Sequence, residues 1–193
     1  GDGRRTEHKH LFLLEPASAE HDVVVHCDAT QLVGRLPIDL DDLGVDLVSI
    51  SGHKMCGPTG VGALIGKGQT LEKLVPIAHG GGQERGLRSG SLNVAGIVGL
   101  GTACELAQSL MIDEAIRFAG LRDQLVEGLK RNLDGVTDNG EVTRRLPNTA
   151  NIRIEGVDAE ALVVNADPVA ISAGSACHAG AIEPSPVLTA MGL

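Results

Sequence analysis

Apolar residues occur along this chain in short continuous runs, separated by glycine-rich or acidic turns. Val23-Val24-Val25-His26-Cys27-Asp28 is β-branched and unbroken rather than alternating. That is the pattern of a parallel strand covered on both faces, here ending in an acid. Residues 43–50 predict a second strand, followed by the polar turn Ser51-Gly52-His53-Lys54, and residues 60–66 predict a third, bounded by glycine. Gly80-Gly81-Gly82 opens a loop. From Val94 to about Met111 the spacing is helical. From Asp113 to about Leu133 it continues with apolar Ile116, Leu121, Leu125 and Leu129 set among charged residues, an amphipathic helix. Farther on the pattern predicts a strand over 148–154, a helix over 158–165, a strand over 169–172 and a helix within 183–193, with Pro184 and Pro186 near its start. Strands alternating with helices place the chain in the α/β class. Charge density rises near residue 112, where we expect a domain boundary dividing 1–112 from 113–193.

Composition narrows the function classes. The 193 residues carry a net charge of -9, 42% hydrophobic and 1% aromatic residues, and neither Trp nor Tyr. An acidic balance without stacking aromatics argues against direct nucleic-acid binding and leaves room for basic protein partners. No apolar run is expected to reach the roughly 20 residues of a membrane helix. The first residues lack an apolar signal stretch, so a cytoplasmic location is expected. Cys27, Cys56, Cys104 and Cys177 form no C-x-x-C pair, which disfavours a zinc ribbon, and no disulfide framework is expected. Cys27, Cys56 and Cys104 read as small packing residues.

Lys54 follows directly on a buried strand and a glycine turn, where a lysine can form a Schiff base with an aldehyde, although spacing alone favours an ordinary loop lysine. Asp28 ends the preceding strand, where ligands of open α/β sheets bind. A pyridoxal ring needs a carboxylate against its pyridinium nitrogen, and a strand-terminal Asp with a turn lysine after the next strand meets both needs. Asp28 can equally cap the Asp-Ala-Thr-Gln turn. The two roles can coexist on different carboxylate oxygens. Ser51 and His53 flank the lysine with groups able to bind phosphate.

Taken together, His26-Cys27-Asp28-Ala29-Thr30-Gln31, Gly34-Arg35-Leu36-Pro37-Ile38-Asp39 and Ser51-Gly52-His53-Lys54-Met55-Cys56-Gly57-Pro58 closely resemble the cysteine desulfurases. The likeness continues through the glycine-rich stretch 79–91, Arg145-Leu146-Pro147-Asn148-Thr149, and Ser172-Ala173-Gly174-Ser175-Ala176-Cys177 with Glu183-Pro184-Ser185-Pro186. Several separated motifs in the right order are far more specific than one glycine loop. The resemblance implies a fold-type-I pyridoxal-phosphate-dependent transferase, aspartate-aminotransferase-like. Residues 1–112 would be part of the cofactor-binding large domain, and 113–193 part of a smaller C-terminal α/β domain.

The resemblance also implies roles. Asp28 pairs with the pyridine nitrogen of pyridoxal 5'-phosphate, Gln31 with its phenolic oxygen, and Ser51 and His53 with its phosphate. Lys54 links the cofactor and moves protons. Ser91 reaches the phosphate of a neighbouring subunit, which implies a homodimer with shared sites. Cys177 is the nucleophile that takes sulfur from L-cysteine for delivery to an acceptor scaffold protein, as in iron–sulfur cluster assembly or thiolation. It must react as thiolate, with His178 a candidate helper. Thr6-Glu7-His8-Lys9 resembles the motif whose histidine, here His8, stacks on the ring; a solvated charged segment is the equal alternative.

The interval from His8 to Asp28 is far shorter than in the family, and the family's arginine for the substrate carboxylate falls beyond Leu193. These departures predict either an incomplete stretch of a longer enzyme or a shortened chain. A selenocysteine lyase and a noncatalytic partner of a full-length relative are the competing functions.

Overall fold

A computed structural model describes His21, residues 23–174 and residues 185–193. Strands β1 (His26–Asp28), β2 (Leu47–Ser51) and β3 (Gly62–Gly66) form one sheet in the order β1-β2-β3. The first pair is parallel, with Asp28 opposite Ser49. The second is antiparallel, with Ser51 opposite Gly62. β2 is therefore central, which explains its buried apolar residues: Val48 is fully buried, and Leu47 and Ile50 nearly so. Alternation puts Val48 and Ile50 on one face, packed with Ala29, Leu32, Val45, Met55 and Ala103 into the core. Asp28, Ser49 and Ser51 share the opposite face by register.

A 3₁₀ turn, Gly52–Met55, follows β2; the short helix α1 (Gly68–Glu72) follows β3; and a second 3₁₀ turn spans Gln83–Gly86. The helix α2 (Val94–Asn132) runs for 39 residues, about 58 Å at 1.5 Å per residue. Asn93 caps it by accepting from the Gly96 N–H at 3.0 Å, and Lys130 and Arg131 sit favourably in its last turn. β4 (Val136–Asp138) and β5 (Ile152–Ile154) pair antiparallel, and the helices α3 (Ala159–Asn165) and α4 (Pro186–Ala190) follow.

Several expectations are corrected. The helical pattern read over 94–111 and continued over 113–133 is one unbroken helix through residue 112. Residues 169–172 are not a strand; among the described residues no neighbouring strand pairs with them. β4 was not foreseen, because three residues after a helix and a glycine carry too little periodicity. α2 also overturns the expectation about membrane-length segments. It contains an 18-residue window of mean hydropathy 1.4, long and apolar enough by length and composition to cross a membrane. Its glycine, threonine, cysteine and serine interruptions hid this in the sequence. In the fold, this part of α2 packs against the turn that carries Lys54. Cys56 and Cys104 are exposed rather than packed, and Cys27 is half-buried.

Candidate active site at the edge of the first sheet

β1 and β2 run parallel, so their carboxyl ends open on the same edge of the sheet, the place where α/β sheets bind ligands. Asp28 ends β1 and Ser51 ends β2. With Asp28 in register with Ser49, Ser51 lies two residues farther on, roughly 7 Å along the strand and 5 Å across. The turn then delivers His53 and Lys54 to that edge.

Asp28 is exposed but not free to rotate. The Thr30 hydroxyl and the Thr30 backbone N–H, the latter at 3.0 Å, both donate to its Oδ1. These two bonds, hydroxyl first, hold the carboxyl below its ordinary range, with smaller help from His26 and the Ser49 hydroxyl, while desolvation opposes them. The capping role weighed for Asp28 falls on Oδ1, where both Thr30 bonds end. Gln31, next in the turn, is exposed.

Ser51 Oγ and His53 Nδ1 share a hydrogen bond of 2.8 Å, making a polar pair beside Lys54. The turn itself is rigidly built. Gly52 donates to Val61 O, and Gly57 donates to Gly52 O, each at 2.9 Å. Cys56 takes the left-handed conformation at φ 62°, a strained setting for a non-glycine residue. Met55 is buried in the core, so Lys54 sits on a turn anchored from inside.

Helix α2 presses on this turn. A Cβ at Gly57 would stand 3.0 Å from Ala103 Cβ, and one at Gly99 would stand 2.5 Å from Pro58 Cγ. The glycines at 57 and 99 are what allow helix and turn to meet this closely.

The glycine-rich stretch folds back on itself. Ser89 donates both its N–H and its hydroxyl to Ala78 O, and Gly90 N–H donates to Gln83 Oε1 at 3.1 Å. Ser91 follows, exposed, just before the α2 cap. Among the described residues it has no hydrogen bond to the Ser51–His53 pair. The Arg145 motif proves structural. Arg145 forms a two-bond ion pair with Asp138, each bond 2.8 Å. Arg122 of α2 donates to the carbonyls of Leu146 and Pro147.

Register and chain order therefore place Asp28, Ser51, His53 and Lys54 at one edge of the sheet, with Gln31 in the turn after β1. His8, Cys177 and His178 lie outside the described residues. The residue that reading the sequence missed is Thr30. Its signal was the Asp-x-Thr spacing, which suits an Asx turn. An ionised carboxylate, a hydroxyl–imidazole pair and a lysine amine at one sheet edge match the donor set that pyridoxal phosphate requires.

Comparison with known proteins agrees. The aminotransferase class-V family matches residues 13–192. A cysteine desulfurase IscS of Anaeromyxobacter dehalogenans is 49% identical over 174 residues, covering 90% of this chain and 43% of that protein. A NifS-like protein from Rickettsia africae superposes with a TM-score of 0.76 at 34% identity, over 84% of this chain and 45% of the other. DndA from Streptomyces lividans gives 0.70 at 35% identity, over 93% and 51%. The chain thus spans less than half the length of the curated relatives it matches, and its described residues form part of a fold-type-I pyridoxal-phosphate-dependent architecture. By the extent of the family match, this chain belongs to the aminotransferase class-V family.

Proposed function

We propose that this chain is part of a pyridoxal-phosphate-dependent cysteine desulfurase that converts L-cysteine to L-alanine and passes the sulfur to an acceptor protein. The observation that carries the reading is the convergence of Asp28, the Ser51–His53 pair and Lys54 on one sheet edge, in a chain 49% identical to a protein named cysteine desulfurase IscS. Bound there, pyridoxal phosphate supplies the electron sink that makes the bonds at the substrate α-carbon labile. Lys54 Nζ holds the cofactor and moves protons. Asp28 accepts from the ring N–H, Gln31 faces the phenolic oxygen, Ser51 and His53 bind phosphate, and His8 covers the ring face.

Cys177 acts as thiolate. Its Sγ bonds to the substrate sulfur as the substrate C–S bond breaks. The electron pair of that bond stays with carbon, which takes up a proton to become alanine, and the enzyme keeps a persulfide. We assign residues 1–112 to the cofactor-binding part and 113–193 to the part bearing Cys177, with α2 running through both. The setting we propose is a cytoplasmic homodimer in which Ser91 reaches the partner's phosphate, α2 packs on protein and not in a membrane, and a scaffold for iron–sulfur clusters or a thiolation protein receives the sulfur.

The test is cofactor loading of the intact protein, borohydride reduction and peptide mapping, followed by assays of alanine and persulfide. Label on Lys54, alanine release, and loss of persulfide in Cys177→Ala are expected. Strong preference for selenocysteine without persulfide on Cys177 overturns the reading in favour of a lyase. Failure to load cofactor, with tight pairing to a longer relative, overturns it in favour of a noncatalytic subunit.

A further inference from the structure

Asp28 is the one proposed cofactor ligand whose carboxylate is held by a neighbour of its own turn. Ala29, between the two residues, is 1% exposed and donates its N–H to Ser49 O at 3.0 Å, while its carbonyl accepts from Leu32 and Val33 at 2.9 Å each. Thr30 is thus mounted on a turn fixed at both ends. Its β-branched side chain has few χ1 choices, so its hydroxyl is presented to Asp28 Oδ1 at little entropic cost.

Resting on the desulfurase reading above, we propose that Thr30 is a positioning residue: by donating twice to Asp28 Oδ1, it fixes the carboxylate plane and leaves Oδ2 to accept from the ring N–H of pyridoxal phosphate. Hydrogen bonds to an ionised carboxylate are roughly twice as strong as neutral ones. They favour the charged form, and only the charged form can keep a ring nitrogen protonated. The backbone donor survives every substitution at position 30 except proline. The hydroxyl is therefore the adjustable half of the clamp, and removing it leaves the Asp28 carboxylate, held by one bond, freer to turn about Cβ–Cγ. Ser49, opposite Asp28 on β2, adds a weaker constraint from the adjacent strand.

The experiment uses the intact, cofactor-loaded protein with Thr30→Val, Thr30→Ala, Thr30→Ser and Asp28→Asn. Thr30→Val keeps shape and removes the donor. It is expected to shift the visible absorbance of the bound cofactor and to lower kcat for alanine release about tenfold, the scale of a lost charge-assisted bond, with KM for cysteine and the melting temperature near wild type. Thr30→Ala reproduces the loss should valine fail to fold, and Thr30→Ser restores both spectrum and kcat. Wild-type spectrum and kcat in Thr30→Val and Thr30→Ala, with both lost in Asp28→Asn, overturn the role of Thr30 and leave the desulfurase reading standing. An Asp28→Asn protein that matches wild type in both readouts overturns that reading itself.

Discussion

Gly99 is the sharpest test of how α2 sets the position of Lys54. A Cβ there would lie 2.5 Å from Pro58 Cγ and 3.0 Å from Pro58 Cδ. Carbon atoms prefer separations of about 3.5–4.0 Å, so in Gly99→Ala the helix and the turn must part by about 1 Å. Gly101, two residues farther along the helix, has nothing within 4 Å of its Cβ position. Both substitutions gain about 0.5–1 kcal/mol from replacing glycine inside a helix. Only the first also meets overpacking of typically 1–3 kcal/mol. Gly101→Ala should raise the melting temperature, and Gly99→Ala should melt below it by about 1–3 kcal/mol of stability, roughly 2–12 °C for a chain of this size. Pro58 is tied to the lysine turn through the Gly57–Gly52 hydrogen bond, so the displacement reaches Lys54. Misplacement of about 1 Å slows reaction by up to the order of 100-fold, and borohydride-trapped label on Lys54 should accumulate correspondingly more slowly. Gly120→Ala, also in open space, serves as a second control. If Gly99→Ala matches Gly101→Ala in melting temperature and labels Lys54 at the wild-type rate, α2 does not position the turn.

The Asp138–Arg145 pair has side chains only 6% and 13% exposed, so Arg145→Ala leaves a largely buried carboxylate alone and should cost about 3 kcal/mol in chemical denaturation. Arg145 hydrogen bonds hold Asp138 below the usual carboxylate range. A pKa lowered by folding means stability that is complete above the unfolded value of about 4 and lost as pH falls through the folded one. Acid unfolding curves should show this limb, and Asp138→Asn should flatten it. Burial, and then Asp28, raise the Cys27 thiol, whereas Cys56 and Cys104 are exposed. Maleimide at pH 8 should therefore modify Cys56 and Cys104 well before Cys27 in the native protein, and mass spectrometry of timed aliquots checks the order. Arg122→Met keeps the stem and loses the two carbonyl contacts. It should destabilise by about 1–2 kcal/mol, with no change in Lys54 labelling.

Where the sequence could be read, a local rule and a tertiary rule agreed. β2 was legible because a strand flanked on both sides is mostly apolar, as Leu47, Val48 and Ile50 are, with only Ser49 and Ser51 between and after them. The lysine turn was legible because glycine and polar residues interrupt the run at once. β3 was found, yet its antiparallel direction was not, since a glycine-bounded run such as Gly62–Gly66 looks the same in either orientation. Val169–Ser172 has the composition of a strand without a partner, and strand pairing is decided by what lies alongside. The cysteines failed for a related reason: cysteine is usually buried, but Cys56 sits at a left-handed turn end and Cys104 stays exposed although its sulfur lies 3.8 Å from Met55 Sδ, and neither fact is visible in composition. Of the candidate site, residue types and their order were readable. The bond from Thr30 to Asp28 was not weighed, because a capping pattern draws attention to the backbone rather than to which carboxylate oxygen is used.

The contacts that shape the candidate site are short in sequence. Thr30 reaches back two residues to Asp28, Ser51 and His53 are two apart, and Gly57 closes on Gly52 across five. The pairing of β1 with β2 and the seat for the turn, Gly99 and Ala103 of α2, come from farther along the chain. Such a site needs little more than its two paired strands and their turns to set its geometry. Burial follows the opposite rule. Ile77 is 99% exposed and Val75 80%, on the segment entering the glycine-rich loop, and Asp28 itself faces solvent. A carboxylate and a lysine act on a bound ring far more strongly where water is excluded, and exclusion requires surface that local turns cannot supply. The relatives are more than twice as long as the stretch matched here. On the proposed reading the division is physical: this stretch orients the residues assigned to the cofactor, and the additional length of those relatives is what can close the site over them.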